Sequence, residues 1–344
     1  MQKALNSKAL NGIKLFAILG MICYHSGLLK SIDYGAVACI FFFIVSGFTT
    51  AYRHIGSKDN NTEFALKYYN KKLKSLYFPY YVSFALSIPF VILEVKSLED
   101  GFEALCNSFF HVFFIQSWFP NITYKFNAIA WFTSAMLFCY LLTPVLIVVL
   151  NRITSRKAVF SCLIITLLLH LFLEFCSIKY PDVFTYSMHS NPIIKCIEYV
   201  LGMMLAIYYK QLKASKEKNT IIYTVLEVLI ILLDYVAARA VVLSGYKTVI
   251  LIPLCLTVFL FSVGQGYVSR IISVNAIQKL AALQGFIYLF HYVAINYTRI
   301  MLTVIRHKKI YENKPVFSIL CILTTILLSY IMTLIYSKIS TRKK

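Results

Sequence analysis

The sequence is poor in charge and poorest in acid. Only 14% of its 344 residues are charged, and 14 acidic residues stand against 34 basic ones. A water-soluble domain carries about 25% charged and about 45–50% apolar residues. Here 59% are hydrophobic and the mean hydropathy is +0.72, which excludes a soluble globular domain of this length. No CxxC pair occurs among the nine cysteines. Most of them, including Cys23, Cys39, Cys139, Cys162, Cys255 and Cys321, lie inside apolar runs, where a thiol packs as a small apolar group. Neither a disulfide framework nor a metal site is expected. Internal repeats, low-complexity tracts and polar domains are also missing, so residues 1–344 read as a single membrane domain. The net charge of +20 would suit nucleic acid if it were gathered on a soluble face. It lies instead in short connectors between apolar runs, the distribution that orients a membrane protein, and nucleic acid is excluded as a partner.

What the chain has in abundance is long apolar runs. Judged against the ~20 residues that cross a bilayer as a helix, they fall at about 10–29, 35–52, 76–94, 128–150, 159–178, 193–209, 220–238, 248–266, 281–303 and 315–337. The expected fold is an all-α polytopic membrane protein of about ten transmembrane helices in the cell membrane. The first run lacks a small-residue cleavage site and reads as a span, not as a removed signal. Segment 104–119 is aromatic but short, as suits an interfacial or re-entrant piece.

Lys and Arg near span ends are retained in the cytoplasm. The connector with Arg53, Lys58, Lys67, Lys71, Lys72 and Lys74 is therefore placed there. Arg152, Arg156 and Lys157 follow it inside, as do Lys210, Lys213, Lys216 and Lys218 and the tail with Lys338, Arg342, Lys343 and Lys344. Both termini are then cytoplasmic, and the connector with Glu99, Asp100 and Glu103 is outside. The basic connector Arg306, Lys308, Lys309 and Lys314 goes against this assignment.

Lys14 and His25 are eleven positions apart in the first span. At about 100° and 1.5 Å per residue, they share one helix face about 16 Å apart. Ionisable groups in a bilayer are costly and mark functional paths, although a snorkelling lysine and a structurally bonded histidine also fit. Ser46-Gly47 in the second span allows close approach of another helix. The stretch Tyr68 to Tyr81, with Lys71, Lys72, Lys74 and Pro79, suits lipid headgroups or a phosphorylated cofactor. Lys195 precedes Glu198 by one helical turn, so an ion pair is expected there. Glu174 and Asp234 also lie in or near spans. His111 and His170 read as structural, and His54, His189 and His307 as exposed.

These pieces, in this order, are joined by Asn127 to Ser134 with Tyr140 and Pro144, by Tyr199 to Ala206, and by Gly285 to His291. Together they resemble acyltransferase family 3, integral membrane enzymes that modify cell-surface glycans and related acceptors. The resemblance runs from about residue 10 to about residue 295, and it rests on order, spacing and membrane setting. It implies that His25 is the family's essential first-span histidine. Lys14 stands where most members carry arginine, which keeps the charge but loses the bidentate fork. Lys72 and Lys74 occupy a stretch where arginines are common. Ala135 and Met136 stand where many sugar-modifying members have glutamate, which leans toward the branch of exopolysaccharide modification or export.

Acyl transfer to a hydroxyl needs a base and an oxyanion donor. His25 is the expected base and His291 the second catalytic candidate. Lys14, Lys72 and Lys74 are expected to hold acetyl-CoA or another acyl-CoA, with no metal. Ser46 and Trp131 are candidates for the substrate side, though Trp131 also suits an interfacial anchor. The implied partners are acyl-CoA, a cell-surface polysaccharide or glycolipid acceptor, membrane lipids and other glycan-biosynthesis membrane proteins. The scheme expects one water-lined tunnel joining His25 to the inner lysines. The rival reading is a polysaccharide exporter or flippase, whose marks are internal repeats and broken spans.

Overall fold

The computed structural model describes residues 5–56, 62–184, 187–212 and 219–341, with the side chains of all of these except 308, 340 and 341. Lys58, Lys213, Lys216, Lys218, Arg342, Lys343, Lys344 and the side chain of Lys308 fall outside that description. Fourteen α-helices follow one another among the described residues: α1 (Ser7–Ser26), α2 (Tyr34–His54), α3 (Thr62–Glu94), α4 (Leu98–Val112), α5 (Trp131–Leu150), α6 (Arg156–Lys179), α7 (Pro192–Gln211), α8 (Thr220–Ser244), α9 (Leu251–Val263), α10 (Tyr267–Ile272), α11 (Asn275–Ala281), α12 (Gln284–Val304), α13 (Lys308–Glu312) and α14 (Lys314–Thr341). The described residues contain no strand, and the protein is a polytopic all-α membrane protein.

Among the described residues, eight helices are long and apolar enough to cross a membrane: α1, α2, α3, α5, α6, α7, α8 and α14. The other two expected spans differ. That at 248–266 is a shorter apolar helix, Lys247–Val263, which begins with a 3-10 turn. That at 281–303 is the 21-residue α12, whose apolar character is diluted by Gln284, Tyr288, His291, Tyr292, Asn296 and Arg299. Segment 104–119 is no crossing helix. Its first part belongs to the 15-residue α4, which starts in a capping box between Ser97 and Asp100 and exposes Leu98, Phe102, Leu105 and Phe109. The basic stretch around Lys72 is not a connector either, because α3 begins at Thr62 and runs through it.

Burial separates inner helices from lipid-facing ones. The apolar stretches of α2 and α7 are 83% and 72% buried, against 22% for α3, α6, α8 and α14. A helix that is apolar all round but largely unburied finds its solvent in lipid. The two central helices touch backbone to backbone. A Cβ on Gly47 would overlap the Tyr199 carbonyl, and one on Gly202 would overlap the Ile44 carbonyl. Small residues on both sides let two membrane helices come this close.

The second fixed feature of the bundle is polar. Lys195 Nζ donates to Glu198 Oε1 at 2.5 Å, and both side chains are buried. His170 Nδ1 pairs with Thr248 Oγ1 at 2.7 Å, while Glu174 accepts from the Lys247 and Thr248 N–H groups at 2.6 and 2.8 Å. Asp234 accepts from Thr257 at 2.6 Å. The expected ion pair and the structural role of His170 follow from these bonds, which tie α6 to the turn before α9 and α8 to α9, while His170 lies 3.6 Å from Glu198 of α7. Arg306, Lys309 and Lys314 stand at the end of the bundle where α1 finishes, since Lys314 lies beside Gly27.

Two stability outcomes follow, read as thermal unfolding in detergent. Gly202→Leu should prevent α2 and α7 from closing and lower the midpoint sharply, whereas Gly285→Ala, which meets open space, should not. Glu198→Ala leaves Lys195 buried without its carboxylate and should cost about 3–5 kcal/mol, largely recovered in the Lys195→Met/Glu198→Met double variant.

Candidate functional site

α1 places Lys14 and His25 on one face, toward α12 and α2. Asn6 caps the start of α1 by accepting from Ala9 N–H at 3.1 Å, and Gly27, in the left-handed conformation, ends it just after His25. His25 therefore stands in the last turn and Lys14 two turns from the first. Both are half-buried.

Around Lys14 lies a cavity of about 330 Å³. Lys14, Arg53 and Lys72 give it three cations, Ser46, Thr49 and Tyr140 give it hydroxyls, and Leu10, Phe42, Val45 and Met136 form apolar wall. Lys72 Nζ sits 4.0 Å from the centre of the Tyr140 ring, whose hydroxyl pairs with Ser46 Oγ at 3.4 Å. Cations beside an apolar wall can take a ligand that carries both an anionic group and an apolar part. Lys74 does not take part: two positions from Lys72 on a helix it points to the far side, is exposed, and its carbonyl accepts from Tyr336 at 3.3 Å. Arg53 replaces it as the third cation.

His25 lines a separate cavity of about 280 Å³ with Tyr24, Asp33, Trp131, His189 and Tyr292. No hydrogen bond to either ring nitrogen of His25 is found among the described residues, so both nitrogens are open to a substrate in the cavity. His291 is fully buried beside it, with ring centres 5.3 Å apart. Its Nδ1 donates to the Tyr288 carbonyl at 2.6 Å, which leaves Nε2 as an unprotonated acceptor with no partner among the described residues. Trp131 is no interfacial anchor. It is buried at the start of α5, and His189, expected to be exposed, packs 4.6 Å from it. His54 is likewise half-buried, against Phe64 and Tyr68. His111 is buried and pairs with the Ile122 carbonyl at 3.3 Å.

The floor of the His25 cavity comes from a segment the sequence marks only by its motif. Residues 113–130 leave α4 and turn back into the bundle instead of running over its surface. Gln116 donates to Tyr80 Oη at 2.9 Å and to the Ala130 carbonyl at 3.1 Å, and Ser134 bridges Ser117 and the Phe114 carbonyl. Asn127 donates to the Leu289 carbonyl of α12 at 3.0 Å. Buried loop backbone needs such partners. The loop also places Tyr124 and Ala128 in both the His25 cavity and an adjoining vestibule of about 330 Å³. Glu94, Asp100, Glu103 and Asn107 line that vestibule. Lys96 and Ser97 donate to Asp100 and hold its carboxyl below the usual carboxylate range.

Where one tunnel from His25 to the lysines is expected, the described residues line two neighbouring cavities. These occupy opposite halves of α1, and Tyr288 of α12 lines both. The sequence suggests the cation and the imidazole but not the ring between them, because that ring comes from another helix.

No curated protein and no solved structure matches the chain. A family model described as an acyltransferase domain matches residues 7–334. That match runs through α1, the loop and α12, the parts that form both cavities, and it makes the chain a member of acyltransferase family 3 and a multi-pass membrane acyltransferase.

Proposed function

We propose that the protein transfers an acyl group, acetyl in the first instance, from cytoplasmic acyl-CoA to a hydroxyl of a cell-surface glycan or related acceptor outside the cell membrane. The observation that carries this reading is the pairing of a cationic cavity and a histidine cavity on one helix, with Tyr288 lining both. The basic connectors put the Lys14 end in the cytoplasm, where acyl-CoA is available. Lys14, Arg53 and Lys72 then bind its phosphates, and the apolar wall toward Phe42 and Met136 takes the pantetheine arm. The acceptor arrives through the vestibule at the other end.

His25 takes the proton from the acceptor hydroxyl as its oxygen attacks the thioester carbonyl carbon. A C–O bond forms, the C–S bond breaks as the tetrahedral species collapses, and His25 returns the proton to the departing thiolate. The Tyr292 hydroxyl, in the same cavity and with its ring centre 5.8 Å from that of His25, is the donor available to the oxyanion. His291 is a positioning residue. With Nδ1 committed to the Tyr288 carbonyl, its unpartnered Nε2 is the acceptor that a turn of the neighbouring His25 ring would engage during the reaction, leaving the other nitrogen of His25 for the substrate.

In purified protein, CoA release should depend on the acceptor. His25→Ala should fold normally and lose about 10²–10⁴-fold in transfer rate; unchanged transfer would dismiss the mechanism. Losing one charged contact to phosphate, worth about 1.5–3 kcal/mol, should raise the KM for acyl-CoA roughly 10–100-fold in Lys14→Ala or Arg53→Ala. Lys14→Arg should retain affinity, and Lys74→Ala should not alter it.

A further inference from the structure

We propose that Tyr288 is the gate between donor and acceptor, closed in this structure, and that it limits how much thioester is lost to water. The proposal rests on the acyl-transfer reading. Its own basis is the position of one side chain. Tyr288 is 7% exposed, yet its ring contributes to the wall of both cavities. On the cationic side it packs against Phe132 at 4.7 Å between ring centres and Phe42 at 6.2 Å, and those two rings lie 6.2 Å from each other. All three rings line the Lys14 cavity. On the other side stand Cys39 and Ile129, both lining the His25 cavity.

The ring is held in a way that allows it to move. Its hydroxyl donates to the Ile129 carbonyl at 3.3 Å, at the long end of the range for an O–H donor, and its other partner is the weakly bonding thiol of Cys39. Ile129 belongs to the loop whose Tyr124 and Ala128 also line the vestibule, so an acceptor filling the vestibule presses on the segment that holds the phenol. The Tyr288 carbonyl, by contrast, is fixed by His291 Nδ1. The side chain can swing about an anchored backbone without disturbing the histidine pair.

Closure has a chemical reason. His25 faces a cavity open to water, and a base that activates a sugar hydroxyl also activates water. With the passage permanently open, water would attack the thioester carbonyl, its proton would pass through His25 to the sulfur, and the products would be a carboxylic acid and free CoA. A ring that yields only when the acceptor has displaced that water favours transfer over hydrolysis.

Cys39 provides a readout that needs no turnover. In inside-out vesicles exposed to a membrane-impermeant methanethiosulfonate, modification of Cys39, read by peptide mass, should be slow in the native chain. It should be about tenfold faster in Tyr288→Ala, with Tyr288→Phe in between because the ring remains but its tether is lost. In the purified protein, acetyl-CoA hydrolysis without acceptor should rise in the same order. Equal Cys39 rates in the native chain, Tyr288→Phe and Tyr288→Ala would overturn the gate. Should Tyr288→Ala fail to fold, Tyr288→Phe decides alone, and a native rate there overturns it. Because labelling involves no acyl transfer, it separates failure of the gate from failure of the reaction assigned to the site.

Discussion

The contact on which the bundle depends is the one between α2 and α7 at Gly47 and Gly202. With lipid on the outside, no hydrophobic force draws one apolar helix to another, and association rests on close packing and on polar groups with no better partner. Backbone contact at two glycines supplies the first, and the buried Lys195, Glu198, His170 and Glu174 bonds supply the second. This central pair gives the other helices a rigid surface. It carries Phe42, Ser46, Thr49 and Arg53 on α2 toward α1 and α12, and the same helix brings Gly35, Ala36 and Cys39 to the His25 cavity. One well-packed helix therefore builds a wall of both cavities, which fixes their relative position to within the stiffness of a helix.

In the proposed reaction, that arrangement solves a problem particular to acylation across a membrane. Donor and acceptor would sit on opposite sides, and neither would cross whole. The cationic cavity would hold the charged part of the donor at one face, while His25 sits about 16 Å along α1 from Lys14. Only the uncharged acyl arm has to pass the middle of the bilayer, where the cost of a charge is greatest. The aromatic set of Phe42, Phe132 and Tyr288 lines the way between the two cavities, as apolar rings suit.

The sequence shows the one-dimensional part of this design. Crossing helices are visible because their solvent is uniform: a run of apolar residues has the same meaning at any position. The Lys14 and His25 face and the Lys195–Glu198 pair were legible for a related reason, since each lies within one helix whose periodicity is known. Even Lys74 could have been set aside on periodicity, two positions from Lys72. Tertiary convergence is not visible in the same way. Arg53, at the end of α2, resembles any other topology-setting charge until α1 and α3 are packed beside it. Trp131 and His189 look like interfacial and exposed residues, and they meet in the wall of the His25 cavity only because the chain folds back between α6 and α7. The polar inner face of α12 kept it from meeting the hydropathy expected of a span while making it the helix that carries Tyr288 and His291. The basic connector from Arg306 to Lys314 has no explanation in the contacts it makes.

The account's central claim is spatial: the donor's phosphates and its acyl end occupy different cavities, joined past Tyr288. A structure of the protein bound to a non-transferable thioether analogue of acetyl-CoA tests it most directly. The account predicts phosphates among Lys14, Arg53 and Lys72, a displaced Tyr288 ring, and the acyl carbon beside His25. An analogue lodged wholly on one side of an undisturbed Tyr288, or bound away from these cations, would contradict it.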